Sequence, residues 1–269
     1  MASNVLKLRR QDESTEPLRL LDSVSIRQKA DVLDAAMALD RITKNRGMRI
    51  MMWHDISSQE PMVDAEGRAI NTHVFGCDTL EESLYDNYEK VLRSQIIRAC
   101  RVEGEPFWVN CHGFHSGWQN QHLDNIELED FEKRCLVKAA IVVPLHMPFG
   151  QIAAAVFTSL DETKEDLGEE FAQYGKLFAD LARRFVVGYV STMRKNPYLP
   201  KNNVLTNREI ECLRWAAFGK TDDEIAVILS CSHAGVRYHI QNTAKKLDSA
   251  NRAQAIFRAG QLGYLGSLN

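Results

Sequence analysis

Three helix-capping residues follow one another closely near the C-terminus, and they restrict the local fold more than any other feature. Thr206 is followed by Glu209 at the spacing of a capping box. Thr221 and Ser232 each precede a short run with helical periodicity. Gly219 and the turn "SCS" separate these runs. The sequence therefore predicts three short helices joined by tight turns, and "NRAQAIFRAGQLGYL" predicts a fourth helix that closes a small all-α domain.

The third of these helices carries different side chains on two faces. Its core face is predicted to hold Val236, Ile240, Thr243 and Leu247. A second face repeats a polar side chain every four residues and has two polar neighbours: Arg237, Gln241 and Lys245, with His233 and Tyr238. Periodicity alone leaves two interpretations open. One is a solvated helix face, and the other is a helix that enters the major groove, where Arg pairs with guanine and Gln with adenine.

Spaced matches from Leu205 to about Leu265 favour the second interpretation. With "LTNRE", "GKTDDEIA", "KKL", "NRAQA" and "LGY", the segment resembles the LuxR-type helix-turn-helix family of bacterial transcription regulators. The resemblance implies binding to double-stranded DNA. It implies base-reading positions at Arg237, Tyr238 and Gln241, with His233 nearby, and phosphate-contacting positions at Ser232, Lys245 and Arg252. Gly235 departs from the family, which usually has a β-branched or hydroxyl residue there.

Charge is distributed unevenly along the chain. The net charge is −3, but residues 201–269 hold nine Lys and Arg against six Asp and Glu, a net of +3. A basic module on an acidic body is typical of a protein in which only the module meets an anionic partner. The stretch "KNPYLPKNN" before it predicts an extended linker. We therefore predict a flexible N-terminus (1–17), a sensor domain (18–194), a linker (195–203) and a DNA-binding domain (204–269).

The predicted sensor domain mixes helices and strands, which indicates an α+β fold built as an α-β-α sandwich. Helices are predicted over 25–47, 82–104, 129–139 and 165–194, strands over 48–55, 106–110, 139–146 and 150–159, and a loop over 111–125. Pro148–Gly150 is predicted to form the turn between the last two strands. The last helix has an apolar stripe from Leu167 to Tyr189, which is expected to help pair two chains.

This domain resembles the autoinducer-binding domain of acyl-homoserine-lactone receptors, in "NYEK" (87–90), "RA…PFW" (98–108) and "AAIVVPLHMPFGQIAAAVF" (139–157). The resemblance implies ligand-binding positions at Trp108, Arg93, Tyr85, Tyr88 and Ala140, with Trp108 on the lactone carbonyl. The family's Asp-Pro pair is replaced by "VLRS", so the usual acceptor for the ligand amide is absent. The ligand is therefore expected to be acyl-homoserine-lactone-like or, in the favoured interpretation, a different small molecule. An inward-pointing Arg93 would suit a carboxylate, a phosphate or a carbonyl; an exposed Arg93 beside a degenerate pocket is the alternative.

Several classes of protein are disfavoured by what the sequence lacks. It has no apolar run long enough to cross a membrane, no export signal and no CxxC pair, which favours a cytoplasmic protein with reduced thiols. No nucleophile–base pair or phosphate-binding loop indicates an enzyme, and no cofactor is predicted. "CHGFH" (111–115) with His122 matches no standard zinc spacing, so a His-rich loop is favoured over a metal site.

These observations predict a dimeric, sequence-specific transcription regulator controlled by a small-molecule signal. Its partners are expected to be a two-fold DNA operator, the small molecule, and a second copy of the chain or a related regulator. The alternative is a regulator that needs no ligand and is controlled by forming a heterodimer with another protein.

Overall fold

The computed structural model describes residues 16–77, 93–193 and 204–266. The chain divides into two compact units, an N-terminal one of residues 1–147 and 151–194 and a C-terminal one of residues 195–269 with 148–150. The predicted linker 195–203, Tyr85 and Tyr88 lie outside the described residues. No helix among the described ranges is long and apolar enough to cross a membrane.

The N-terminal unit is built on one antiparallel sheet of five strands in the order β1-β5-β4-β2-β3. The strands are β1 (Met48–Trp53), β2 (Phe107–Asn110), β3 (Gly113–Ser116), β4 (Ala139–His146) and β5 (Ile152–Ser159). The central pair, β4 and β5, is buried over almost its whole length, because "AAIVVPLH" and "IAAAVFTS" supply small and β-branched side chains to both faces. Pro148–Gly150 forms the turn between them, as predicted.

Residues 16–23 are helical, and six further helices accompany this sheet in the described ranges. They are α1 (Asp31–Lys44), α2 (Ile70–His73), α3 (Gln95–Cys100), α4 (Gln121–Asp124), α5 (Phe131–Cys135) and α6 (Gly168–Met193). On one face of the sheet Phe157 stacks on Phe178 of α6, with ring centroids 4.3 Å apart and an interplanar angle of 7°. Residues next to Phe157 in β5 point to the other face, where α3 and α5 lie. Helices cover both faces, which confirms the predicted α+β sandwich.

Two local predictions in this unit were wrong. The loop predicted over 111–125 contains β3 and α4, because Asn110 lets the chain turn back and pair with β2. The helix predicted over 129–139 is shortened to α5, since Asp130 (φ 54°) and Leu136 (φ 59°) both adopt left-handed backbone conformations that stop it.

The apolar stripe of α6 also has a different role from the predicted one. Leu167, Phe178, Leu181, Phe185 and Tyr189 are all buried in the core of their own domain. The outward face of α6 is largely polar. A side chain that is already buried cannot also bury itself against a second chain, so this stripe does not supply a pairing surface.

Over residues 204–266 the C-terminal unit is a bundle of four short helices, as predicted. These are α7 (Asn207–Ala217), α8 (Asp222–Ile228), α9 (His233–Lys246) and α10 (Arg252–Gln261). Their inward faces meet in a separate core that includes Cys212, Leu213, Ile225, Val236 and Leu247, each fully buried. The predicted core face of α9 is confirmed, with Ile240 and Thr243 also buried.

Candidate functional site

Side-chain caps fix where each helix of the C-terminal unit begins. Thr206 and Thr221 form complete capping boxes with Glu209 and Glu224. Ser232 caps α9, because its Oγ accepts the backbone N–H of Gly235 at 3.1 Å. The caps leave a short turn between α8 and α9, and Ser230 in that turn has a positive φ of 49°. This is the local geometry of a helix-turn-helix.

Helix α9 presents a polar face to solvent. Arg237, Gln241 and Lys245 are exposed at four-residue spacing, and Tyr238 beside them is 61% exposed. Within the described ranges, the side chains of Arg237, Gln241 and Lys245 form no hydrogen bond or ion pair. Their donors and acceptors are therefore available to an external partner. His233 lies at the start of this face, with Nε2 3.9 Å from Asp223 Oδ1.

The other cationic side chains near α9 are held within the domain. Lys246 donates to Glu209 Oε2 at 2.8 Å. Arg252 pairs with Asp222 and donates to the Lys220 carbonyl oxygen at 2.6 Å. Arg258 donates to the carbonyl oxygens of Leu247 and Asp248. The structure thus separates cations that stabilise the fold from cations that face outward, and it places Arg252 in the first group.

The pKa of Glu209 reflects its contact with Lys246. Burial raises the pKa of the Glu209 carboxyl, but the ammonium of Lys246 and the backbone N–H of Thr206 stabilise its charged form more. The resulting pKa lies below the ordinary value. Glu209 is therefore ionised at neutral pH, and Lys246 is needed to balance a carboxylate whose side chain is only 4% exposed.

The N-terminal domain contains a small, largely apolar cavity between the sheet and helices α3 and α5. Its volume is about 40 Å³, which is room for a few water molecules. The apolar part of its wall includes Met51, Trp53, Val156, Ile96 and Ile97. Its polar lining comprises Arg49, Thr158, Ser94, Arg134, Cys77 and Cys135. In β-strands alternate residues share a face, so Arg49, Met51 and Trp53 of β1 all point to the face opposite α6.

Trp108 lies elsewhere. It pairs with Ile141, which pairs with Phe157, so all three point to the α6 face of the sheet. Trp108 stacks on His115 with a centroid distance of 4.7 Å, and its Nε1 donates to Asp166 Oδ1 at 3.2 Å. Trp108 does not line the cavity, contrary to the role implied by the family resemblance.

Two other predicted ligand positions, Arg93 and Ala140, are also absent from the described cavity lining. Arg93 is exposed, and only the neighbouring Ser94 lines the cavity. Ala140 is fully buried on the cavity face of the sheet but is not part of the described lining. No group of His, Cys, Asp or Glu in the described ranges is arranged to hold a metal ion, and these ranges include 111–115 and His122.

Sequence reasoning missed the residues that do line this cavity. The strand predicted over 48–55 contains the sequence "MRIMMW", in which alternate residues share one face of the sheet. Arg49 is a charged residue inside an otherwise apolar strand, and Trp53 lies four residues further on the same face. That pattern was the available signal for a polar contact inside the domain.

Comparison with known proteins identifies the family of the C-terminal unit. Residues 203–259 match the family model described as "Bacterial regulatory proteins, luxR family". The C-terminal domain belongs to the LuxR family. This confirms the resemblance drawn from the sequence, and the LuxR-family domain is the one that presents the exposed face of α9.

Two curated relatives match the chain over longer stretches. The transcriptional activator VanR of Vibrio anguillarum is 35% identical over 135 residues, covering 50% of this chain and 55% of VanR. VjbR of Brucella ovis, a quorum sensing-dependent transcriptional regulator, is 36% identical over 138 residues, covering 51% and 52%. The chain thus spans about half the length of these curated relatives. Both are named as transcriptional regulators and not as enzymes.

Among solved structures, Escherichia coli SdiA covers 98% of this chain and 100% of its own, with 17% identity and a TM-score of 0.45.

Proposed function

We propose that this protein is a sequence-specific transcription regulator in which α9 reads DNA and a small molecule bound by the N-terminal domain controls that activity. One observation carries the proposal. Arg237, Gln241 and Lys245 stand exposed and without side-chain partners on one face of α9, in a LuxR-family domain whose other nearby cations are engaged internally.

The chemistry of this face suits base reading in the major groove. A guanidinium can bond two acceptors of guanine, and an amide can bond both the acceptor and the donor of adenine. Arg237 and Gln241 are one helical turn apart, so they reach adjacent base pairs from one docked helix. Lys245, further along the face, is placed for a phosphate. The capped N-terminus of α9 at Ser232 provides backbone N–H groups for a second phosphate.

Dimerisation belongs to the same proposal. Two copies place two α9 helices about one turn of DNA apart, and a symmetric protein then binds a symmetric operator. Dimerisation makes DNA binding depend steeply on protein concentration, because each half-site alone offers few base contacts. The small-molecule part of the proposal is supported by relatives named as quorum sensing-dependent regulators and by the lined cavity of the N-terminal domain.

Selection of DNA from a random pool by the purified full chain tests the DNA-binding part. We expect enrichment of a two-fold motif whose half-sites lie about 10 base pairs apart. The test variant combines Arg237→Ala with Gln241→Ala, and it should abolish the motif while leaving the fold intact. The matched control is a change at another exposed cation. Arg214→Ala removes an exposed charge from α7 and should leave the motif unchanged. Absence of any enriched motif with the unaltered protein, with or without a cell extract as a source of ligand, would overturn the proposal.

A further inference from the structure

The cavity of the N-terminal domain has a charge arrangement that specifies a class of ligand. Two arginines, Arg49 from β1 and Arg134 from α5, line a cavity whose remaining wall is mostly apolar. Resting on the proposed sensory function of this domain, we propose that the cavity binds a small amphipathic carboxylate, with its anionic group held by Arg49 and Arg134 and its short acyl or aryl part against Met51, Trp53 and Val156.

Neither arginine side chain forms a polar contact that stabilises the described part of the domain. Across the described ranges, the side chains of Arg49 and Arg134 make no hydrogen bond or ion pair. Glu132, Asp161 and Glu162 line the adjoining groove with Arg49, yet none of them lies within ion-pair distance of it. Arg49 is half-buried, whereas Arg134 is exposed. The guanidinium of Arg49 therefore loses hydration at an apolar wall, and no described side chain compensates for that loss. The site is therefore incomplete without a negatively charged partner.

Geometry adds to the charge argument. Arg49 and Thr158 are direct cross-strand partners in β1 and β5, so the guanidinium and the hydroxyl stand side by side on the cavity face. A carboxylate accepts two parallel N–H bonds from a guanidinium and has lone pairs left for a hydroxyl donor. Ser94, at the start of α3, offers a second hydroxyl on the opposite wall.

The same lining disfavours a neutral lactone amide as the natural ligand. Such a ligand presents an N–H donor that needs a buried acceptor, and the oxygen acceptors among the described lining side chains are hydroxyls, with no carboxylate. Arginine offers donors only. The open volume is small, so binding has to displace lining side chains, and a short aliphatic or single-ring ligand requires the least displacement.

Calorimetric titration of the full chain with charge-matched pairs tests this inference. The probes are hexanoate against hexanamide and phenylacetate against phenylacetamide, with hexanoyl-homoserine lactone as a third arm. We expect the carboxylates to bind about tenfold or more tightly than their amides, because each charge-assisted bond is worth more than a neutral one. Arg49→Gln with Arg134→Gln should remove that preference, and Arg49→Lys should restore part of it. Lys138→Gln, a nearby cation outside the cavity lining, is the matched control and should leave binding unchanged.

The outcomes separate the two proposals. Equal binding of acid and amide, or carboxylate binding that survives the double variant, overturns the assignment of ligand class. Tighter binding of the lactone also overturns it, but leaves the proposed sensory function standing. If no probe binds and the protein isolated from its own cell carries no small molecule in native mass spectrometry, the sensory function and the ligand class both fall. The DNA-binding proposal is then judged on its own selection experiment.

Discussion

Lys246 at the end of α9 donates to the same Glu209 oxygen that accepts the backbone N–H of Thr206, at 2.8 Å and 2.7 Å respectively. A single buried carboxylate therefore closes the capping box of α7 and anchors the last turn of the proposed recognition helix. The position of the proposed DNA-reading face thus depends on a contact made on the opposite side of α9.

Replacing Lys246 with Met should destabilise the C-terminal domain by about 3 kcal/mol, because it leaves a buried carboxylate without its cation. Amide hydrogen exchange across residues 204–266 of the full chain measures this loss for the domain alone. Lys245→Met is the matched control, since Lys245 precedes Lys246 but is exposed and has no described partner. Equal effects of the two changes would show that the Glu209 contact contributes little.

The stability of this domain should also depend on pH through Glu209. The folded-state pKa of Glu209 lies below its ordinary 4.5, so its contribution is fully present above pH 4.5. The contribution is lost as the pH falls through the folded-state value. The stability difference between the unaltered protein and Lys246→Met should therefore shrink below pH 4.5. A difference that stays constant from pH 7 into this range would contradict the assignment.

Arg237→Ala should relax sequence preference and cost about 1–3 kcal/mol on the selected motif, with little change on unrelated DNA. Lys245→Ala should weaken binding to all sequences alike and reduce the salt dependence by about one counterion. Fluorescence anisotropy on motif and scrambled duplexes over a salt series distinguishes these patterns. An equal loss on both duplexes for Arg237→Ala would place Arg237 on the phosphates.

Arg252→Ala should act on stability rather than on DNA contacts. Its guanidinium joins Asp222 and the Lys220 carbonyl oxygen, and loss of these bonds should cost about 2 kcal/mol. At a temperature where the variant remains folded, the slope of log affinity against log salt should match that of the unaltered protein. A slope reduced by about one unit would instead restore the phosphate role implied by the family resemblance.

The two tryptophans of the sheet should respond differently to ligand. Trp53 lines the cavity, whereas Trp108 points to the opposite face and stacks on His115. Trp53→Phe should remove most of the fluorescence change produced by a bound probe carboxylate, and Trp108→Phe should leave that change in place. A change that disappears only with Trp108→Phe would mean that the ligand binds on the α6 side of the sheet.

Local signals in the sequence predicted the C-terminal domain well, because contacts between residues close in sequence determine where its helices begin. Thr206, Thr221 and Ser232 cap their own helices through contacts three residues away. Periodicity along α9 was enough to separate Val236 and Ile240 from Arg237 and Gln241. The pairings of Lys246 and Arg252 were not predictable, since their partners lie 37 and 30 residues away in sequence.

The ligand cavity was harder to predict, because it depends on which face of each strand points inward. Resemblance placed Trp108 at the ligand, but the register of β2 against β4 turns it to the α6 side. A shift of one residue in a strand exchanges its two faces, and sequence alone did not fix that register. Arg49 and Arg134 are brought to one cavity only by the packing of α5 on the sheet.

If the protein regulates transcription as proposed, the internal pairing of Lys246, Arg252 and Arg258 affects how it finds promoters. These cations displace no counterions from DNA, so affinity for random sequence is lower than the composition of the domain implies. Low affinity for random sequence shortens each visit to non-target DNA and limits sliding along the chromosome. In the proposed regulator, sliding would then contribute less to the search than repeated encounters from solution, so the speed of the search would depend on how many copies the cell contains.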